Sequence, residues 1–328
     1  MAKQSIIDNV KADVRAISPY TLHEYDYDVK INQNENPYDV PEDIKQEILD
    51  FAMKRSWSRY PPFIPNELHE KLAEYAGWRS DGVLVGNGSN EIIQALMMIF
   101  LSPGDRIILP SPTFTVYALV AKLMGAEVVN VPLNADYSYD CDALEKAFLE
   151  DDGAAMIVLC SPNNPTGGLY PLDRIEFLLK NSSRPVIVDE AYFEFSKQSA
   201  KSLLENYDNL VVLRTFSKAF SLAGMRVGYG LMSPELAREV DKAKLPYNID
   251  FLSVAASIKL LDSFDRLAPG IDEIIEERDR LIPAMNKIEG VTAYPSDANF
   301  ILFETPLPPK VVFEALLNDG LLIRNVSS

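Results

Sequence analysis

Residues 216–229 read FSKAFSLAGMRVGY. One lysine, Lys218, sits among small hydroxyl and alanine residues, and one arginine, Arg226, follows eight positions later. The stretch leaves LVVLRTF (210–216), an apolar run dense in β-branched residues that reads as a strand, and enters RVGYGLM (226–232), which reads as another. A lysine at the end of a buried strand points to chemistry: a closed site disfavours the ammonium and leaves a neutral, nucleophilic amine able to form a Schiff base. The small residues Ala219, Ala223 and Gly224 are expected to let the backbone pack closely at the turn between Lys218 and Arg226.

Working outward, GVLVG (82–86), DRIILP (105–110), EVVNVPL (127–133), AAMIVLC (154–160) and RPVIVDEAY (184–192) are further strand candidates. Amphipathic stretches such as NEIIQALMMIFL (90–101) and TVYALVAKLMG (115–125) alternate with the first of them. That alternation predicts an α/β fold, a large domain with a mostly parallel central sheet flanked by helices on both faces. From KLPYNIDFLSVAASIKLLDSFDR (244–266) onward the pattern changes to long helices, then to strands, one helix and a last strand, which predicts a smaller α+β domain. The expected division is an N-terminal arm over 1–40, a large domain over 41–245 and a small domain over 246–328. Within the arm a helix is expected over 3–16, followed by INQNENPYDVPEDI (31–44), whose Asn, Pro and Asp density gives neither a strand nor a helix signal.

Four loops each follow a predicted strand: GNGSN (86–90), SPNNPTGG (161–168), DEAY (189–192) and FSKAF (216–220). In an open parallel sheet the segments beyond the carboxyl ends of the strands meet in one crevice, so the four are expected to be neighbours. Asp189 ends an apolar run, and a part-buried carboxylate there needs a cation or a proton donor. GNGSN opens a helix, so its amides and Ser89 face an anion at the positive end of the dipole. Arg226 and Ser217 would complete a phosphate cup. A Schiff-base lysine, an acid for a ring nitrogen and a phosphate cup are together what pyridoxal phosphate requires.

The rest of the composition narrows the classes. With 31 Lys and Arg against 48 Asp and Glu, the formal net charge of −17 argues against nucleic acid or an anionic membrane as partner. Two cysteines, Cys141 and Cys160, make no disulfide framework and lack the company of a metal site. Without a continuous apolar N-terminal segment or a run of membrane-spanning length, the expectation is a soluble protein of the reducing cytoplasm. His23 and His69 belong to no motif, and surface or capping roles are expected for both. A dinucleotide-binding reading fails because GNGSNE lacks the third glycine of that fingerprint and RIILP ends without an acidic residue.

Taken in order, INQNENPY, RYP, GNGSNE, PTF, SPNNPTG, DEAY, TFSKAFSLAGMRVGY, SDANFIL and LLIR span nearly the whole chain. In that order they resemble the fold-type I pyridoxal-phosphate aminotransferases, and within them the histidinol-phosphate aminotransferases. The resemblance implies that Lys218 bonds covalently to the cofactor and shuttles the substrate's α-proton, and that Asp189 pairs with the ring nitrogen. It places Asn164 and Tyr192 at the ring's phenolic oxygen, and Ser89, Asn90, Ser217 and Arg226 at the phosphate. Phe114 would stack on the ring face, and Tyr60 would reach the phosphate of a neighbouring subunit, which implies a homodimer with shared active sites. Tyr20, Asn36 and Arg324 match positions near the substrate.

The substrates so implied are L-histidinol phosphate and the glutamate/2-oxoglutarate pair. The family's second late arginine would lie beyond Ser328, so cofactor binding with impaired turnover is expected of the chain given. The same machinery also fits a threonine-phosphate decarboxylase, an aromatic aminotransferase or a binding protein without turnover.

Overall fold

Residues 6–18 and 23–327 are described by the computed structural model. Its centre is a seven-stranded sheet built from β1 (Val83–Asn87), β2 (Arg106–Ser111), β3 (Glu127–Pro132), β4 (Ala154–Cys160), β5 (Val186–Asp189), β6 (Leu210–Thr215) and β7 (Val227–Leu231). The spatial order is β1-β7-β6-β5-β4-β2-β3. The β2–β3, β2–β4, β4–β5 and β5–β6 pairs are parallel, whereas β7 runs antiparallel to both β1 and β6.

The continuous apolar runs now have a reason. Along β4, Ile157 and Leu159 enter one hydrophobic core while Met156, Val158 and Cys160 enter the other. β5 divides in the same way, with Val186 and Val188 opposite Ile187, and β6 places Leu210 and Val212 opposite Val211 and Leu213. Successive side chains point to opposite faces, and both faces are covered, so neither set can be polar.

On one face α3 (Gly88–Phe100) and α4 (Val116–Met124) supply Ile92, Ile93, Leu96, Tyr117 and Ala121. On the other, α1 (Glu42–Lys54), α2 (Asn66–Ala76), α5 (Phe251–Asp262) and α6 (Phe264–Met285) join one cluster through Ile44, Leu68, Leu260 and Ile271. Two short ribbons complete the chain: Val29–Lys30 pairs in parallel with Leu321–Leu322, and Thr292–Ala293 pairs antiparallel with Phe303–Glu304.

Three expectations need correction. The single helix over 3–16 is replaced, within the described residues, by a 3-10 turn at Ile6–Asn9 and a separate helix at Ala12–Ala16. Nothing in Ile6–Asn9 is buried, and a helix this short without a docked apolar face is marginal. His69 is half-buried rather than at the surface, and burial, aided by nearby Lys244, pushes its pKa down to about 4. Gly224 is not at a close approach, since a Cβ there would meet nothing within 4 Å.

Candidate active site

Every expected loop lies at one edge of the sheet, and strand direction explains why. β1, β4, β5 and β6 run the same way, so Gly88, Ser161, Glu190 and Phe216 all follow carboxyl ends on that edge. Because β7 is reversed, its beginning is at that edge. Asn87 pairs with Val227 and Thr215 with Gly228, which brings Arg226 back beside the helix that β1 leads into and the loop that β6 leads into. Arg226 itself lies one residue before the strand rather than on it, in the left-handed region with φ 53°.

The floor of the crevice is Asp189, 3 % exposed. Its carboxylate accepts from the Tyr117 hydroxyl at 2.6 Å and from the Ala191 amide at 3.1 Å. Burial pushes its pKa up to about 6 against those two hydrogen bonds. Opposite stands Lys218, whose Nζ donates to the Gln33 carbonyl at 2.7 Å and lies 5.8 Å from the centre of the Tyr192 ring. Burial pushes its pKa down to about 8; the Glu35 and Asp189 carboxylates oppose that shift, while Arg226 and Lys30 reinforce it. Lys30 is itself ion-paired with Glu35.

Tyr192 is buried, and its hydroxyl oxygen accepts from Asn164 Nδ2 at 3.1 Å and from Asn34 Nδ2 at 3.0 Å. The loop carrying Asn164 is fixed by its neighbour Asn163, which donates to the Pro112 carbonyl at 3.0 Å and to Thr166 Oγ1 at 2.8 Å. Thr113 donates in turn to Asn163 Oδ1 at 2.7 Å, which ties that loop to the loop presenting Phe114. Phe114 is half-buried, with Tyr117 meeting it edge-on at a centroid distance of 5.4 Å and 82°.

At the same edge of the sheet, Gly88, Arg226 and Gly228 bring three segments close together. Gly88, with φ 69°, begins α3 and donates its amide to the Arg226 carbonyl at 2.7 Å. Arg226 Nη1 donates to Ser217 Oγ at 3.2 Å and to the Ala223 carbonyl at 3.1 Å. The approach is close: a Cβ on Gly228 would lie 2.1 Å from the Ser89 nitrogen, and one on Gly88 would lie 2.6 Å from Arg226 Nη2. Half-buried Ser89 and exposed Asn90 occupy the first turn of α3, where unpaired amides favour negative charge.

The remaining expected residues lie farther out. Asn36 donates to the Ala219 carbonyl at 3.0 Å, bracing the arm against the lysine loop. Arg324 is exposed, two residues beyond the short strand that pairs with Val29–Lys30. Tyr60 is 78 % exposed and stacks on Tyr247 at 4.5 Å, on the outer surface of this chain rather than in its own crevice. Tyr20 lies outside the described residues. Sequence reasoning missed Tyr117, Gln33 and Asn34. Tyr117 follows Phe114 by three residues at the start of a helix, so it was visible only as a core aromatic.

A lysine on the loop after the sixth strand and a buried carboxylate ending the neighbouring fifth, in a sheet whose seventh strand is reversed, fit a fold-type I transferase. Residues 28–328 match aminotransferase class I and II, and the chain belongs to that family. It is 38% identical over 323 residues to histidinol-phosphate aminotransferase of Thermoanaerobacter sp. (strain X514), covering 98% of this chain and 91% of that protein. The crystal structure of a putative histidinol-phosphate aminotransferase from Erwinia carotovora atroseptica SCRI1043 superposes with TM-score 0.85 at 27% identity, over 90% of this chain and 87% of that one. The Sinorhizobium meliloti histidinol-phosphate aminotransferase, solved in complex with pyridoxal-5'-phosphate, shares the fold with TM-score 0.88 at 23% identity, over 98% and 90% of the two chains. Among the described residues no helix is long and apolar enough to cross a membrane, and no group of His, Cys, Asp and Glu could hold a metal ion.

Proposed function

We propose that this protein is a pyridoxal-phosphate-dependent transaminase that interconverts L-histidinol phosphate and 2-oxoglutarate with imidazole acetol phosphate and L-glutamate, a step of histidine biosynthesis. The residues present fit the cofactor on two observations. Asp189 is a buried carboxylate held, among the described residues, by two neutral donors and no hydrogen-bonded cation, and a protonated ring nitrogen would balance its charge. The cradle of Gly88, Ser89, Ser217, Arg226 and Gly228 is too close for a Cβ at either glycine and lined by donors. When bound, the cofactor supplies an electron sink that makes the substrate's α-proton removable.

The chain's own groups do the rest. Ser89, Asn90, Ser217 and Arg226 hold the phosphate, with charge-assisted bonds from the guanidinium. Asp189 keeps the proton on the ring nitrogen, Asn164 and Tyr192 orient the ring's oxygen, and Phe114 covers a ring face. Lys218 Nζ would anchor the cofactor and, as a neutral amine in a buried site, move the α-proton. Tyr20, Asn36 and Arg324 belong to the substrate side, with Arg324 suited to a carboxylate or phosphate. Tyr60 and its exposed aromatic neighbours serve a homodimer in which Tyr60 reaches the partner's cofactor phosphate. The arm (1–40), large domain (41–245) and small domain (246–328) are the working division, and the cytoplasm is the working compartment.

The observation that carries the reading is a buried carboxylate, Asp189, with neutral donors beside it, at the same sheet edge as Lys218 and the close-packed Gly88–Arg226 cradle. It is tested by loading the protein with pyridoxal phosphate, adding L-histidinol phosphate and following the cofactor absorbance, with Lys218→Ala as control. A Lys218-dependent band that converts on adding substrate is expected. A band that ignores histidinol phosphate while responding to another amine would overturn the substrate.

A further inference from the structure

The hydroxyl of Tyr192 has both of its acceptor positions filled. A phenol oxygen carries two lone pairs and one hydrogen, and here Asn34 Nδ2 at 3.0 Å and Asn164 Nδ2 at 3.1 Å both donate to it. What remains is the hydrogen, so the oxygen can only donate onward. A hydroxyl that accepts bonds becomes a stronger donor, because bonds in a chain polarise one another.

Asn34 sits in an arm whose backbone is tied to the site on several sides. Its φ of 56° lies in the left-handed region that glycine adopts most easily, yet the position carries an amide side chain that reaches Tyr192. The Asn34 carbonyl accepts from Asn299 Nδ2 at 3.0 Å, and the neighbouring Phe300 meets the Tyr192 ring edge-on at 5.1 Å and 79°. One segment near the C-terminus therefore holds both the arm and the ring. On the opposite side the preceding carbonyl, that of Gln33, accepts from Lys218 Nζ.

We infer that Asn34 is a positioning residue that acts through Tyr192: by filling its second lone pair, Asn34 commits the hydroxyl to donate to the anionic ring oxygen of the cofactor. The inference rests on the cofactor reading above. The charged and titratable groups facing Tyr192 are Asp189, Cys160 and Lys218, with Glu35, Arg226 and Lys30 around Lys218. All of these stay in place in the variants used below, so a change in titration is assigned to the amide.

The test is a spectrophotometric pH titration of bound pyridoxal phosphate in wild type, Asn34→Gly and Asn34→Ala, each repeated with Tyr192→Phe. Glycine keeps the left-handed backbone and removes the donor; alanine removes the donor while keeping a Cβ, and both are uncharged. The expected result is an upward shift of the pH at which the bound cofactor's band changes. Loss of one ordinary hydrogen bond to the cofactor would correspond to about half a unit to one unit, and because the Asn34 bond acts through the Tyr192 hydroxyl the shift expected is a fraction of that. Adding either Asn34 substitution to Tyr192→Phe should give no further shift. An unshifted band in both Asn34 variants, or the same shift with and without the Tyr192 hydroxyl, would overturn the inference while leaving the cofactor in place. A wild type with no Lys218-dependent band would overturn the cofactor reading, and the inference with it.

Discussion

The depressed lysine makes a prediction that needs no substrate. Free lysine titrates near 10.5, whereas burial brings Lys218 to about 8. At pH 7 a group titrating at about 8 is neutral in about one molecule in ten, against about one in three thousand for an ordinary lysine. Lys218 in the cofactor-free protein should therefore present the neutral amine about 300-fold more often than an ordinary surface lysine and capture an aldehyde faster, by less than that ratio because a less basic amine is a weaker nucleophile. The assay is to incubate the protein with pyridoxal, which lacks the phosphate and so bypasses the anion cradle, and to trap the adducts with borohydride across pH 6 to 10. Mass spectrometry of the peptides then reports each lysine separately. Labelling of Lys218 should reach half its maximum near pH 8, with exposed Lys180, whose ammonium is favoured by its Glu176 partner, rising later. Replacing Glu35 by Gln removes the largest charge that favours the ammonium, so the Lys218 midpoint should move lower, while Arg226→Gln should move it higher. A Lys218 midpoint equal to that of the surface lysines, or a rise on Glu35→Gln, would refute the argument that burial sets this amine's state.

Other consequences follow from the same geometry. Glu194 is buried beneath the site, and burial pushes its pKa up to about 7 from 4.5, against nearby Arg214 and the Tyr75 hydroxyl. A raised carboxylate contributes stability that is present at low pH and lost as pH rises toward the folded value, a loss of about 3 kcal/mol between pH 4.5 and 7. Urea unfolding across that window should show Glu194→Gln gaining on wild type as pH rises; a pH-independent difference would sink the idea. Arg214, 3 % exposed, is paired with buried Glu190 and stacked 3.6 Å above the Phe193 ring, so Arg214→Leu should cost about 3 to 5 kcal/mol in the same experiment. Arg226→Gln should weaken pyridoxal-phosphate binding by about 10- to 100-fold, read by equilibrium dialysis, with little effect on pyridoxal itself. Gly228→Ala places a methyl against the Ser89 backbone nitrogen, and a variant that binds the cofactor and melts like wild type would show that the cradle is looser than drawn.

Much of this site was legible in the sequence because its parts end strands. Asp189 closes an apolar run, Lys218 follows another, and GNGSN opens a helix, so local pattern plus the rule that parallel strands deliver their carboxyl ends to one edge suffices to gather them. The antiparallel course of β7 left no mark in its residues, since Val227–Leu231 is as apolar as its neighbours and buried throughout. Yet that reversal is what returns Arg226 to the edge where Ser89 and Ser217 wait. The arm was harder still. INQNENPYDVPEDI offers no periodicity, and its order comes from partners far away in the chain: Leu322 for Ile31, Asn299 and Tyr192 for Asn34, Ala219 for Asn36. Local bonds such as those of the Tyr38 amide to Asn36 and the Val40 amide to Asp39 shape single turns, but a segment whose place is set by long-range partners cannot announce that place locally. It can still decide chemistry, because a segment held by the site is also placed to hold it: the arm that Lys218 and Ala219 restrain through backbone carbonyls and amide bonds is the one that supplies the second donor to Tyr192.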